Sequence, residues 1–173
     1  MAQQENTQQT QQPQPGEFII QKIYLEDASV ESPLSPAVFQ EDWKPEANIE
    51  LNTANELLPT PDNYKISLTI TVKTQLKNNT DKTAFLIQIK QVGIFLIKNF
   101  PTNEMGHILN SFCPSVLFPY AREMLSNLVT RAGFPDLQLA PVNFDAMYAQ
   151  SLQQQNHSSD SPTQTQDTKK IIQ

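Results

Sequence analysis

The most regular pattern in the chain is the alternation of apolar and polar residues in YKISLTITVKTQL, at 64–76. A period of two is typical of a β-strand with one face toward a core and the other toward solvent. The polar segment KNNTDK at 77–82 contains the residue types that favour turns. The pattern therefore predicts a hairpin that leads into the next apolar stretch.

That next stretch, AFLIQIKQVGIFLIK at 84–98, is the most apolar in the chain. One alternating face carries Phe85, Ile87, Ile89, Gln91, Gly93, Phe95 and Ile97, and the other carries Leu86, Gln88, Lys90, Val92, Ile94 and Leu96. Two largely apolar faces are typical of a strand that is covered on both sides. Helices of the same chain can cover one face, and the other face needs a further cover.

Two further segments are predicted as strands. FIIQKIYLED at 18–27 is rich in β-branched and aromatic residues. ANIELNTANELL at 47–58 fits a strand or a helix, and the β character of the 64–76 segment after it favours a strand. Between them, residues 32–45 contain three prolines and predict a long irregular connection. The four strands are expected to form an antiparallel meander.

The apolar spacing becomes helical after Pro101. Pro114 and Pro119 predict a kink or a restart near the first turn of this helix. Gly133 and Pro135 predict its end. One stripe of the helix carries Leu117, Ala121, Met124, Leu125, Leu128 and Val129.

A second helix is predicted to begin at Asn143, a residue type that favours the N-cap, with Asp145 in the first turn. Its apolar side would consist of Phe144, Met147, Tyr148 and Leu152. Strands followed by helices argue for the α+β class. The expected fold is a four-stranded antiparallel sheet with two C-terminal helices packed on one face.

Both ends of the chain differ from this middle part. Residues 1–16 contain seven glutamines and no large apolar residue after Met1, and residues 153–173 are almost entirely polar. Neither segment can bury enough apolar surface to offset the entropy of ordering it. We therefore expect a disordered Gln-rich tail at 1–16, one folded domain at 17–152 and a disordered polar tail at 153–173.

The net charge of −6 is unevenly distributed, because residues 17–62 contain ten Asp and Glu against Lys22 and Lys44. Such a segment repels nucleic acid and attracts a basic protein partner, although surface acids also serve solubility alone. The N-terminus lacks the features of a signal peptide, and the 84–98 run is too short to span a bilayer. A single cysteine excludes an internal disulfide. We expect a cytoplasmic protein without membrane insertion.

No catalytic or cofactor-binding constellation is visible in the sequence. The four glycines are scattered singly, unlike those of a phosphate-binding loop. His107 and Cys113 are too few for a metal site, and a Cys113 nucleophile would require a histidine and an orienting group. We predict no enzyme and no cofactor, with a small Cys113-dependent enzyme as the disfavoured alternative. Apolar residues in loops, such as Phe39 and Trp43, instead indicate an interaction surface.

Four segments carry a resemblance to a known family: VFQEDWKPE at 38–46, GIF at 93–95, CPSVLFPYARE at 113–123 and FPDLQLAPVNFDAMY at 134–148. They resemble SecB, the bacterial protein-export chaperone family. The resemblance implies a homotetramer, built as a dimer of dimers, that binds unfolded preproteins without ATP and passes them to the SecA motor. Sister subunits would then mainly cover the second apolar face of the 84–98 strand. A SecB-like chaperone of a toxin–antitoxin system is the alternative.

The resemblance also implies where SecA would bind. The acids that face SecA in the family fall on Asp27 and Glu31, together with Leu86. A further acid of the family is replaced here by Gln88, which suggests a retuned contact. In the C-terminal tail, the resemblance implies that Lys169 and Lys170 contact SecA.

A groove for unfolded clients is implied as well. Its residues in this sequence are Val38, Phe39, Trp43, Phe95, Phe134, Leu137, Leu139, Phe144, Met147 and Tyr148. Main-chain and apolar contacts in such a groove would suit a chaperone that binds many sequences. The family's paired glycine is reduced here to Val92 and Gly93.

Overall fold

The computed structural model describes residues 15–77 and 79–158. Its elements are β1 (Glu17–Glu31), a 3₁₀ turn (Ala37–Gln40), β2 (Pro45–Leu57), β3 (Asn63–Leu76), β4 (Asn79–Lys98), α1 (Thr102–His107), a π-helical segment (Ile108–Phe112), α2 (Cys113–Arg131) and α3 (Phe144–Ser158). All four strands belong to one antiparallel sheet. The predicted α+β class, with four antiparallel strands followed by helices, is confirmed.

The strand order is β1-β4-β3-β2, so the predicted meander is correct for β2 to β4 and wrong for β1. Short connections keep β2, β3 and β4 next to one another. Leu76 already pairs with Asn79, and the turn expected at 77–82 is therefore shorter than predicted. The connection from β1 to β2 covers 32–44, which is long enough to carry the chain across the sheet. Its length removes the local constraint that would have paired β1 with β2.

Residues of β3 and β4 divide between two faces of the sheet, as their alternation predicts. Odd-numbered residues of β4 from Phe85 onward and even-numbered residues of β3 face the helices and contribute the sheet side of the core. Helix α2 packs across this helix face and contacts both strands. Odd-numbered residues of β3 and even-numbered residues of β4 from Leu86 onward lie on the opposite side of the sheet, here called the outer face.

The helical region begins irregularly, as Pro114 predicts. Proline has no amide hydrogen, so Pro114 cannot donate to the carbonyl of Asn110, and the wider π-helical segment lies directly before it. The apolar stripe of α2 is confirmed, with buried Leu117, Ala121, Leu125 and Val129 and partly buried Met124 and Leu128. Helix α2 is therefore the main cover of the helix face.

The end of α2 and the start of α3 also follow the sequence signals. Gly133, just after α2, has a φ of +90°, a conformation that glycine adopts without strain. Asn143 caps α3, because its Oδ1 accepts a hydrogen bond from the amide of Ala146 at 2.9 Å. These two residues fix the length of the loop that joins the helices.

The domain boundaries remain predictions. Helix α3 continues past Leu152, the predicted end of the folded domain, to Ser158. Most of both predicted tails, together with Lys169 and Lys170, lies outside the described residues.

We expect replacing Gly93 by Ala to destabilise the fold. A methyl group there would lie 2.5 Å from the Phe95 ring and 2.9 Å from the Leu117 side chain, and such overpacking costs about 1–3 kcal/mol of unfolding free energy. The resemblance leads one to expect a second glycine at the position of Val92. The Val92 side chain points to the outer face, so no glycine is required there to leave room for the Phe95 ring. Chemical denaturation measures the change. A wild-type midpoint for Gly93→Ala would mean that Phe95 moves aside at no cost.

Candidate functional site

Four residues singled out in the sequence lie side by side at one end of the outer face: Asp27, Glu31, Leu86 and Gln88. Glu31 is the direct partner of Leu86 across β1 and β4, and Ser29 is the partner of Gln88. Alternate residues of a strand share a face, so Asp27, Ser29 and Glu31 point the same way. The structure thus brings all four predicted residues together, and we call them the docking patch.

The docking patch combines an apolar spot with uncompensated acids. Asp27, Glu31 and Gln88 are exposed, and Leu86 is half-buried. Within the described residues, neither acid forms an ion pair. Gln88 Oε1 accepts a long hydrogen bond of 3.4 Å from Thr71 Oγ1. A partner surface that is basic and partly apolar would match this arrangement.

Next to the docking patch, Glu26 holds two lysines. Its Oε1 lies 2.6 Å from Lys65 Nζ, and its Oε2 lies 2.6 Å from Lys90 Nζ. A β-bulge between Leu25 and Asp27 gives β1 one extra residue, Glu26, which turns toward the outer face. Hydrogen bonds from Lys65 and Lys90 lower the pKa of Glu26 to about 2, so the carboxylate stays ionised near neutral pH. We call these three residues the Glu26 clamp.

The Glu26 clamp also covers part of the apolar outer face. Because β4 lies between β1 and β3, the Lys65 side chain must cross β4 to reach Glu26. Val92 lies on that path, between Ile94 and Lys90, and it is fully buried. Sister subunits are expected to cover most of this face. Val92 does not need that cover, because side chains of the same chain already enclose it.

Four aromatic rings pack together where the β1–β2 connection meets the loop after α2. Ring centroids lie 5.3 Å apart for Phe39 and Phe134, 5.3 Å for Trp43 and Phe134, and 4.7 Å for Phe85 and Phe134. Phe39 stays 51% exposed and Trp43 is half-buried, whereas the other two rings are buried. We call this group the aromatic cluster. An exposed ring on a packed aromatic base can bind apolar side chains of another protein.

The residues predicted for the client groove do not form one exposed surface. The buried members are Val38, Phe95, Phe134, Leu139 and Phe144, and the partly or fully exposed members are Phe39, Trp43, Leu137, Met147 and Tyr148. Phe95 packs against Phe18 with ring centroids 5.5 Å apart. It lies at the far end of β4 from Phe85, about 33 Å away for strand geometry. The structure therefore does not place Phe95 with the aromatic cluster.

The helix-facing side of β2 connects the aromatic cluster to α3, and the sequence prediction did not include it. Ile49 is exposed and Leu51 half-buried on this side. Thr53 lines a cavity of about 410 Å³ with Met147 and Leu152. In the described part of the chain, β2 pairs with β3 alone, so its free edge can bind an extended segment. The alternation of Ile49 and Leu51 with polar residues is the signal that could have revealed this side.

A second exposed apolar area lies where β1 meets α2. Ile20, Leu25, Phe112 and Tyr120 are each 37–49% exposed. Leu25 and Tyr120 line one cavity of about 270 Å³, and Phe112 contacts Phe18 of β1 with ring centroids 5.1 Å apart. We call these four exposed residues the β1–α2 surface. The sequence alone did not reveal it, because its members have the same residue types as the core.

Cys113 does not have the properties of a nucleophile. It is buried, and burial raises the pKa of its thiol to about 12, so the reactive thiolate does not form near neutral pH. His107 and Ser111 both contact Oδ1 of Asp145. The carboxylate lies between them, so the histidine does not contact the serine as a general base would. These contacts instead attach α3 to the segment before α2.

Metal-binding and membrane-spanning features are not found in the described residues. No three His, Cys, Asp or Glu side chains there are grouped so that they could hold a metal ion. All helices of the described part fall short of the length and apolarity needed to cross a membrane.

The chain matches the family described as Preprotein translocase subunit SecB over residues 8–155. It is 50% identical over 153 residues to the protein-export protein SecB of Pseudomonas paraeruginosa, which covers 88% of this chain and 90% of that protein. The protein-export protein SecB of Pseudomonas fluorescens is 46% identical over 163 residues, covering 94% and 99%. That of Thioalkalivibrio sulfidiphilus is 49% identical over 148 residues, covering 86% and 85%.

The fold of this chain is also similar to that of a solved structure. It is a Mycobacterium tuberculosis SecB-like chaperone in complex with a ChAD peptide from the HigA1 antitoxin, with a TM-score of 0.59 and 17% identity. The likeness covers 72% of this chain and 90% of that chain. At this identity, the comparison shows the fold alone.

Proposed function

The chain belongs to the SecB family and is a protein-export chaperone, and from this premise we propose how it works. It binds unfolded precursor proteins in the cytoplasm without ATP, keeps them competent for translocation and delivers them to the SecA motor. It acts by binding and catalyses no reaction. One observation carries the proposal: the docking patch and the aromatic cluster lie on opposite faces of the same sheet. A client and SecA can therefore be bound at the same time.

The proposed client surface runs along the helix-facing side of β2. It begins at the exposed ring of Phe39 in the aromatic cluster, passes Ile49 and Leu51, and ends at Met147 on α3. The free edge of β2 offers backbone hydrogen bonds to any extended chain. Apolar contacts combined with main-chain contacts favour unfolded segments without selecting one sequence. Two buried members of the predicted groove support this surface: Phe134 packs against Phe39, and Phe144 lines the same cavity as Met147.

SecA is proposed to bind the docking patch. Leu86 offers a half-buried apolar spot, and Asp27 and Glu31 beside it offer two carboxylates that form no ion pair with any described residue. Charge complementarity of this kind mainly increases the rate of encounter and fixes orientation. Gln88 takes the place of one acid of the family, so the patch depends more on the two remaining acids. Lys169 and Lys170 are proposed as an additional contact with SecA.

The protein is proposed to assemble as a homotetramer, a dimer of dimers. The β1–α2 surface supports this proposal, because Phe112, at the end of the π-helical segment, and Tyr120 of α2 are 47% and 49% exposed, next to exposed Ile20 and Leu25 on an edge strand. Contiguous apolar patches of this kind usually mark an interface. A second chain that covers it would also shield the free edge of β1.

The alternative role with a toxin–antitoxin pair has weaker support. Relatives that carry the name protein-export protein are 46% and 50% identical. The Mycobacterium tuberculosis chaperone that was solved with an antitoxin peptide is 17% identical. Its bound peptide nevertheless supports peptide binding by a fold of this kind.

Replacing Phe39 by Ser tests the client surface. We expect the affinity for a reduced, unfolded precursor to fall about ten-fold, because truncating an exposed aromatic anchor costs about 1–2 kcal/mol. Fluorescence titration with a labelled precursor measures the affinity, and light scattering measures protection against aggregation.

Ile19→Ser is the matched control, since Ile19 is 45% exposed but lies on the outer face, opposite Leu96. It should bind the precursor like the wild type. If Phe39→Ser keeps full affinity, or if both variants lose affinity equally, the aromatic cluster is not the client surface.

A further inference from the structure

We propose that the Glu26 clamp keeps the docking patch acidic, with Glu26 acting as a positioning residue that holds Lys90 away from Asp27. This inference rests on the proposed function, because it gives the clamp a role in SecA docking. Lys90 is the direct cross-strand partner of Asp27. Opposite charges at directly opposed positions attract each other. A pair between them would neutralise one of the two free acids of the patch.

In the structure, Lys90 forms an ion pair with Glu26 and not with Asp27. Its Nζ lies 2.6 Å from Glu26 Oε2, whereas Asp27 has no ion pair among the described residues. The β-bulge makes this arrangement possible, because it sets two acids, Glu26 and Asp27, against the single partner Lys90. Glu26 takes the lysine, and Asp27 remains free.

The second lysine fixes Glu26 in place. Lys65 reaches the same carboxylate from β3, and the two side chains are only 26% and 29% exposed, so solvent and salt screen this contact less than a fully exposed one. Lys65 also lies opposite Glu56 of β2, which offers it another acid on the side away from the docking patch. Lys73, opposite Leu86, is the cation of β3 nearest to the patch and is not part of the clamp.

Released from Glu26, the two lysines would therefore behave differently. Lys90 is the residue paired with Asp27, and Lys65 is the residue paired with Glu56. We therefore expect that only Lys90 competes with SecA for the docking patch. This difference separates a positioning role from a merely structural one, because loss of structure would not be repaired by removing one lysine and not the other.

The test is calorimetric titration of purified SecA into the full-length protein at low salt. Glu26→Gln is expected to bind about three-fold more weakly than wild type, the size expected for a surface ion pair with Asp27. Adding Lys90→Gln should restore the affinity, and adding Lys65→Gln instead should not. Lys90→Gln alone leaves the contact between Glu26 and Lys65 intact and should bind like wild type. Thermal unfolding of each variant checks the fold.

Several results would overturn the inference. Wild-type affinity in Glu26→Gln, failure of Lys90→Gln to restore it, or equal restoration by Lys65→Gln would each do so. A several-fold gain in affinity for Lys90→Gln alone would also overturn the inference, because it would mean that Glu26 does not neutralise Lys90 in the wild type. This result counts even if Glu26→Gln fails to fold.

Asp27→Asn with Glu31→Gln separates this inference from the proposed function. If this variant binds SecA like wild type, the docking patch is wrong and the role of the clamp falls with it. If it loses affinity while Glu26→Gln does not, the docking patch stands and only the clamp is overturned.

Discussion

Reversing both acids of the docking patch, by Asp27→Lys with Glu31→Lys, is expected to weaken SecA binding more than about ten-fold at low salt. Each tenfold loss corresponds to about 1.4 kcal/mol, and placing like charges at an interface costs more than this. Client binding should be unchanged, because the patch lies on the outer face, away from the aromatic cluster. Calorimetry at two salt concentrations measures the effect, which should shrink at high salt because exposed charges are screened.

The matched control places the same charge change elsewhere on the sheet. Glu46→Lys with Glu50→Lys alters two exposed acids on β2, at the other edge from β1. Its affinity for SecA should stay close to that of wild type. Equal losses in both double variants would mean that SecA responds to net charge alone. Unchanged affinity after reversal of Asp27 and Glu31 would remove them from the binding site.

Placing acids on the β1–α2 surface is expected to have the second large effect. Phe112→Asp with Tyr120→Asp should dissociate the proposed tetramer, because two carboxylates would have to be buried in an apolar interface. Losing two aromatic anchors of an interface costs about 4 kcal/mol or more, which corresponds to roughly a thousand-fold weaker association. Light scattering coupled to size-exclusion chromatography measures the mass. The main species should become smaller than four chains at micromolar concentration.

Asn127→Asp with Thr130→Asp is the control for this substitution. Both residues are exposed near the C-terminal end of α2, about 10 and 15 Å along the helix from Tyr120. The control adds the same charge to α2 and should keep the mass of the proposed tetramer. If the Phe112 and Tyr120 variant keeps the mass of the wild type, the interface lies elsewhere.

Much of the fold was predictable because its signals are local. The alternation in β3 identifies both faces of that strand, and the N-cap at Asn143 fixes the start of α3. Pro114 marks the irregular turn before α2, and Gly133 marks the end of α2. Each of these signals involves residues within about four positions of one another, so it can be recognised in the sequence alone.

The position of β1 could not be predicted in the same way. The connection at 32–44 is long enough for β1 to pair with either edge of the meander. In the structure β1 lies beside β4, and Phe18 of β1 packs against Phe95 of β4. The bulge at Glu26 depends on that pairing, since it exists only relative to β4. The Glu26 clamp joins three strands that are distant in sequence, so no local pattern indicates it.

The candidate sites were predictable in part for the same reason. Asp27 and Glu31 lie four positions apart on one strand, so their common face follows from alternation. Leu86 and Gln88 join them only because β1 pairs with β4. For the client surface, residue type indicated apolar side chains but not their exposure. Phe95 is buried and Phe39 is exposed, although both are phenylalanines in segments that resemble the family.

The measurement that tests the proposed mechanism most directly is native mass spectrometry of the full-length protein, alone and mixed with a reduced, unfolded precursor. We predict a species of four times the chain mass of 19.6 kDa, and a second species that is heavier by one precursor and forms without ATP. A single chain that binds no precursor, even with the precursor in excess, would contradict both the assembly and the chaperone mechanism proposed for this protein.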